Sequence, residues 1–112
     1  MSIAGDLIRG HTDAIILARL LRGDSYGYEI NKTISTISSG RFELKEATLY
    51  TAFKRLEESG CIASYWGDSG AGARRRYYTI TAAGKDTYHR LMAEWLETKE
   101  IMEKLLRMEE ES

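Results

Sequence analysis

Leu49, Ala52, Phe53 and Leu56 recur at helical spacing, and the segment they organise, Glu46 to Gly60, leads directly into strand-forming sequence that carries Arg74, Arg75 and Arg76 in succession. An apolar stripe of that phase turns Ala47, Thr51, Lys54 and Glu58 away from the core and leaves Thr48, Tyr50 and Arg55 on the flanks. Short polar groups and cations therefore point outward together. Gly60 suits a left-handed C-terminal cap, a conformation that glycine enters without steric cost. Taken alone, such a helix also fits an ordinary amphipathic element with a solvated outer face.

The sequence after it decides between the two. Ile62 to Trp66 and Arg76 to Ile80 are rich in aromatic and β-branched residues, with the small-residue loop from Gly67 to Ala73 between them, which predicts a β-hairpin with a flexible tip. Arg74, Arg75 and Arg76 then sit on the return strand beside the tip, where long side chains reach phosphates or a minor groove. Three adjacent guanidinium groups repel one another, so an anionic partner explains them better than a solvated charge run. The glycines of the loop are not a nucleotide-binding motif, because no helix start follows to supply a positive dipole end. A polar-faced helix joined to an arginine-bearing hairpin predicts a mainly α fold with a small β-hairpin, a winged helix-turn-helix that reads double-stranded DNA.

Upstream, Ala14 to Leu21 is apolar on nearly every side and predicts a helix that needs cover from a second chain. Gly23 ends it, Asp24 or Ser25 is placed to cap the next helix, and Ile30, Ile34 and Ile37 give that helix a buried stripe until Ser38 to Gly40 breaks it. Downstream, Thr81 is placed to cap a final helix from Ala82 to Met108, which at about 1.5 Å per residue spans roughly 40 Å. Tyr88, Leu91, Trp95, Thr98, Met102 and Leu105 alternate spacings of three and four along it, and Met92, Leu96, Ile101 and Leu106 broaden the stripe. Such a helix is too long to pack only on its own domain. The expected organisation is a DNA-binding head over residues 1–81 and a C-terminal dimerisation helix with an acidic tail over 82–112. Two heads held by those helices would meet successive major grooves about 34 Å apart, as a palindromic operator requires.

Charge follows the same division. The 112 residues carry a net charge of −1, which argues against indiscriminate nucleic-acid binding, but 11 Lys and Arg face 9 Asp and Glu through Gly84, whereas 5 face 8 beyond it. Positive charge is thus concentrated in the head. The N-terminal residues Met1 to Asp6 lack the basic start and apolar run of a secretory leader, and no segment approaches the roughly 20 apolar residues of a membrane span, so a cytoplasmic location without membrane contact is expected. Cys61 is alone, which excludes an internal disulfide and a cysteine-cluster metal site, and it reads as a small core residue. His11, just before the apolar helix, and His89, in the last one, lie far from Cys61 in the expected fold, and no spacing points to a metal triad or an activated nucleophile, so no metal, cofactor or enzymatic activity is expected. The rival to a DNA reader is a winged helix that binds an acidic protein through Arg74 to Arg76 without sequence-specific DNA binding.

Ser25 to Ile30, Ala47 to Tyr50, Lys54 to Glu57, Gly60, Ser64 to Trp66, Arg74 to Tyr78 and Thr79 to Gly84 follow one another as the signatures of PadR-family transcriptional regulators do, and the chain resembles that family over most of its length. The single C-terminal helix with a central Trp resembles its small subclass, which includes multidrug-responsive repressors. The resemblance implies a homodimeric repressor of detoxification, export or phenolic-acid genes. It also implies DNA contacts at the positions held here by Thr48, Tyr50, Thr51, Lys54, Arg55, Arg74 and Arg75, with Arg76 beside them on the wing.

In the multidrug-responsive members, planar aromatic compounds lie between two Trp residues, one per subunit, in a pore at the dimer interface. Trp95 matches that Trp, and Leu7, Gly10, Ala14, Met92, Lys99 and Met102 match other pore positions. Lys99 stands where those relatives carry an acidic residue, and so favours an anionic or neutral ligand over a cation; Glu94 and Glu97 lie nearby in sequence, but spacing alone does not bring them into the pore. A Trp there also suits an interface anchor with no ligand at all.

Overall fold

The computed structural model describes residues 3–68 and 74–110. Most of the expected hairpin tip, 69–73, and the end of the acidic tail, 111 and 112, lie outside the described residues. In chain order the elements are α1 (Ile3–Arg9), α2 (Thr12–Leu20), α3 (Gly27–Ile37), α4 (Glu46–Glu58), β1 (Ile62–Asp68), β2 (Arg74–Ile80) and α5 (Ala82–Arg107). This is a winged helix-turn-helix followed by one long helix.

The core forms where the apolar stripes meet. Leu49, Ala52, Phe53 and Leu56 of α4 are all buried, as their spacing predicts, and pack with Ile16, Leu17 and Leu20 of α2 and Ile30 and Ile34 of α3. Ala47, Thr51, Lys54 and Glu58 all face outward. At the end of α4 the Gly60 amide donates to the Glu57 carbonyl at 3.0 Å and the Cys61 amide to the Leu56 carbonyl at 2.9 Å. Gly60 adopts φ 78°, the left-handed cap its identity predicts. Cys61 is buried.

The wing is an antiparallel pair in which Ile62 faces Ile80, Tyr65 faces Tyr77 and Trp66 faces Arg76. It is fixed to α4 by the stacked rings of Phe53 and Tyr78, 3.9 Å apart, and by the Ser64 hydroxyl, which donates to Glu57 at 2.9 Å. Burial raises the Tyr78 hydroxyl above the ordinary tyrosine pKa.

One helix lies outside the sequence reading, and three local expectations need correction. A separate helix, α1, precedes α2, because the chain turns at Gly10 and His11 before resuming helix. α2 is covered mostly within its own chain, by α3, α4, β2 and the first half of α5, so its all-round apolarity reflects a central position in the head. Neither Asp24 nor Ser25 caps α3: Tyr26 holds the N-cap position without a side-chain bond. Ser25 instead exchanges backbone hydrogen bonds with Tyr78 and extends the wing by a third, one-residue strand. Ile37 is 70% exposed, because the last turn of α3 opens onto a surface groove it shares with Ile8, Ile15 and Phe42.

Long-range polar contacts set the path from α3 to α4. The Asn31 amide donates to the Leu44 carbonyl at 2.7 Å and accepts from the Leu44 amide at 2.8 Å, so one side chain supplies both bonds that a neighbouring strand would have made. The Ser38 hydroxyl similarly accepts from the Phe42 amide at 3.0 Å.

Thr81 caps α5 as expected, its hydroxyl accepting from the Gly84 amide at 3.0 Å. The first turns of α5 pack on the head through Gly84, Tyr88 and Leu91. From Met92 onward the apolar stripe is open to solvent: Met92, Trp95, Leu96, Ile101, Met102, Leu105 and Leu106 are all exposed.

Candidate nucleic-acid interface

Two elements present the outward groups. The start of α4 projects Ala47, Thr48, Tyr50 and Thr51, with Lys54 one turn further on; all of these are exposed except Thr48, which is half-buried. Beside them β2 carries Arg74, Arg75 and Arg76, all exposed. The fold brings Tyr50 of α4 into one cleft with Arg75 and Arg76 of the wing, whereas Thr48, Thr51 and Arg55 line a separate hollow with Arg9 and Thr12.

The four arginines of that set are in different electrostatic states. Arg74 lies 5.5 Å from the Trp66 ring centroid and Arg75 4.5 Å from that of Tyr26, so both rest on aromatic faces, which orient a guanidinium while leaving its N–H edge available. Arg76 also leans on Trp66, at 5.9 Å, but pairs with the Glu57 carboxylate at 3.5 Å. Arg55 pairs with Asp13 on α2: its Nε donates to Oδ2 at 3.2 Å and its Nη2 to Oδ1. Both carboxylates compete with any phosphate for these two cations.

The structure adds residues that sequence spacing did not single out for this face. Tyr26 and Tyr28, at the start of α3, line a shallow cleft with Tyr50, Arg75 and Arg76 between α3, α4 and the wing. Tyr28 is 73% exposed, so its ring and hydroxyl stand largely in solvent at the cleft. The one available signal was the pairing of two tyrosines around Gly27 next to a helix start. Behind the cleft, Tyr26 meets Tyr77 edge-on at 5.4 Å and Tyr77 stacks on Tyr65 at 5.6 Å. The Tyr65 hydroxyl donates to Asp24 at 2.6 Å, which holds that carboxyl below the ordinary aspartate range and raises the Tyr65 pKa. This tyrosine row stiffens the strand that carries Arg75.

On another side of the head a cavity of roughly 460 Å³ lies between the α1–α2 junction and α5. Gly10, Ala14 and Trp95 line it, three of the seven residues that the family resemblance assigns to a ligand. Leu7, Met92, Lys99 and Met102 do not line the cavity of a single chain; Leu7 is on α1 and the others are spread along the exposed part of α5. Glu94 does line it, although spacing alone did not place it there, whereas Glu97 does not. The Trp95 ring is 41% exposed and meets His11 edge-on, with centroids 5.1 Å apart. Among the described residues no group of His, Cys, Asp and Glu is arranged to hold a metal ion, and no helix is long and apolar enough to cross a membrane.

Comparison with known proteins agrees with this geometry. Residues 16–90 match the family described as "Transcriptional regulator PadR-like family". A curated relative, uncharacterized protein X of Lysinibacillus sphaericus, is 48% identical over 101 residues, covering 90% of this chain and 93% of that protein. Among solved structures, a transcriptional regulator from Clostridium thermocellum is 47% identical with a TM-score of 0.84, over 92% of this chain and 97% of the other. A PadR family transcription regulator from hypervirulent Clostridium difficile is 38% identical with a TM-score of 0.74, over 86% and 98%.

Proposed function

This chain belongs to the PadR-like family of transcriptional regulators, and from that premise we propose that it is a repressor that binds a palindromic operator as a homodimer. It is a DNA-binding regulator and not an enzyme. The observation that supports the reading is the cleft where Tyr50 of α4 meets Arg75 and Arg76 of the wing, with Arg75 resting on the Tyr26 ring. In this reading residues 1–81 form the reading head, with Thr48, Tyr50, Thr51, Lys54 and Arg55 on its helix and Arg74, Arg75 and Arg76 on its wing, and 82–112 pair with a second copy through the open stripe of α5. Burying that stripe supplies the driving force for pairing.

Fluorescence anisotropy of a labelled duplex from the gene's own upstream region, against a scrambled duplex over a salt series, tests the proposal. Tight, salt-steep, sequence-selective binding is expected. Equal weak binding to both duplexes would instead favour a winged helix whose arginines meet an acidic protein. Within the helix, changing Thr51 or Lys54 is expected to alter which base pairs are preferred, each readout contact being worth about 1–3 kcal/mol of discrimination. A selection from randomised duplexes that returned the same site for wild type and both variants would move specificity to the wing or to DNA shape.

We further propose that two copies of the Trp95 cavity form one pore, with Leu7, Gly10, Ala14, Met92, Lys99 and Met102 in its walls, and that a planar aromatic effector entering it relieves repression. Support comes from the half-exposed Trp95 ring and the open volume beside it. A ligand that favours a head spacing unsuited to the operator releases DNA by differential affinity. Trp95→Ala is expected to weaken binding of a planar aromatic dye about tenfold, since an aromatic pair is worth roughly 0.5–1.5 kcal/mol. Unchanged dye affinity together with an unchanged dimer mass in sedimentation would sink the pore.

A further inference from the structure

Arg55 lies between two open spaces. On one side it lines the Trp95 cavity with Asp13 and Glu94; on the other it lines a shallower hollow of roughly 360 Å³ with Thr48 and Thr51 of the recognition helix. Its guanidinium is turned onto Asp13, a residue 42 positions away in sequence, although half of the side chain remains exposed. Asp13 stands in the first turn of α2, where the helix dipole stabilises a carboxylate with or without a cation beside it. An exposed pair of this kind is weak. Exchange of the guanidinium to a nearby phosphate therefore requires no buried charge to be abandoned.

We propose that Asp13 is a positioning residue that competes with the DNA backbone for Arg55, so that this ion pair couples the Trp95 cavity to the DNA-reading face. The inference rests on the DNA-binding reading above and adds to it a direction of control. Whatever holds Arg55 on the cavity side, Asp13 or an anion entering beside Trp95, withholds one cation from DNA. Whatever neutralises Asp13 releases it. The pair thus gives cavity contents a route to the recognition helix within one chain, separate from any change in the spacing of two heads.

The test is a double-mutant cycle on operator affinity with Asp13→Asn, Arg55→Gln and the double variant, each first shown by thermal melting to be folded. Asp13→Asn is expected to tighten duplex binding about fivefold and to steepen the salt dependence by about one unit of log–log slope, the signature of one added phosphate contact. In the Arg55→Gln background the same Asp13 change is expected to alter affinity by less than about 1.5-fold. Asp13→Ser provides a second route to the same neutralisation if the asparagine variant melts early. An equal gain in both backgrounds would reduce Asp13 to a bulk negative charge and overturn the proposal, as would a loss of affinity on freeing Arg55. Failure of the wild type to bind any duplex would remove the DNA reading as well, and the wild-type titration alone separates that outcome from the others.

Discussion

Gly84→Ala is expected to lower the melting temperature by roughly 12–24 °C at fixed protein concentration. Gly84 is buried in the first turn of α5, directly beneath the α4–β1 junction. A Cβ there would collide with the carbonyl oxygen of Cys61 and stand 2.7 Å from Cγ1 of Ile80 and 3.0 Å from the Cys61 carbonyl carbon. Two of those three atoms are backbone, so no rotamer change relieves the clash. The same carbonyl accepts from the Thr81 amide and hydroxyl, both at 3.0 Å, which locks the strand junction to the helix cap. Overpacking against such a fixed surface costs about 3 kcal/mol, and each kcal/mol moves the midpoint of a domain near this size by about 4–8 °C. Scanning calorimetry gives the answer directly, and an unchanged midpoint would mean that α5 is not seated as closely as described. In the proposed dimer, a variant that still folds should also lose operator binding, because shifting α5 off Cys61 would present the two heads at a different separation.

Neutralising Arg74 and Arg75 together is expected to weaken operator binding about 100-fold near physiological salt and to weaken scrambled-duplex binding by a similar factor. The two guanidinium groups rest on Trp66 and Tyr26, and among the described residues neither pairs with a carboxylate that it would have to leave to meet a phosphate. Each charge-assisted contact is worth about 1.5 kcal/mol, close to tenfold. The salt dependence should flatten by nearly two units of log–log slope, one for each counterion no longer released. Uniform loss across sequences would separate these residues from Thr51 and Lys54, whose substitution is expected to change preference rather than overall affinity. Arg76 provides the contrast: paired with Glu57, it should give a smaller loss when neutralised, and an equal loss would show that this pair opens on DNA.

Much of the head was legible because its signals are local. The stripe from Leu49 to Leu56 sets the rotational phase of α4, and with it the outward direction of Thr51 and Lys54, before any partner is specified. Gly60 and Thr81 mark their helix ends through contacts three to five residues away, so their roles are also written in short windows. Arg74, Arg75 and Arg76 lie on the return strand as expected, opposite Asp68, Gly67 and Trp66 in the ladder, so the pairing extends two residues beyond the aromatic and β-branched segments.

What the windows could not supply was the choice of partner across distance. Ile37 follows Ile30 and Ile34 at helical spacing, yet whether its turn is covered depends on where α1 and α2 end, and there it opens onto a groove. Ser25 carries a strong capping identity, but the nearness of β2 turns its backbone into a strand partner for Tyr78. Arg55 sits on a helix flank whether or not it has a counter-ion; Asp13 becomes that counter-ion only once α2 packs on α4, and the packing of α5 on α2 brings Glu94 and Trp95 to the same cavity. The sequence by itself therefore determined α4, the hairpin and α5 with the phase of each, because apolar periodicity and caps act within a few residues. The tertiary structure decided which charges are engaged and which remain available, because a Coulomb or hydrogen-bond partner is chosen by distance in space and not by separation along the chain.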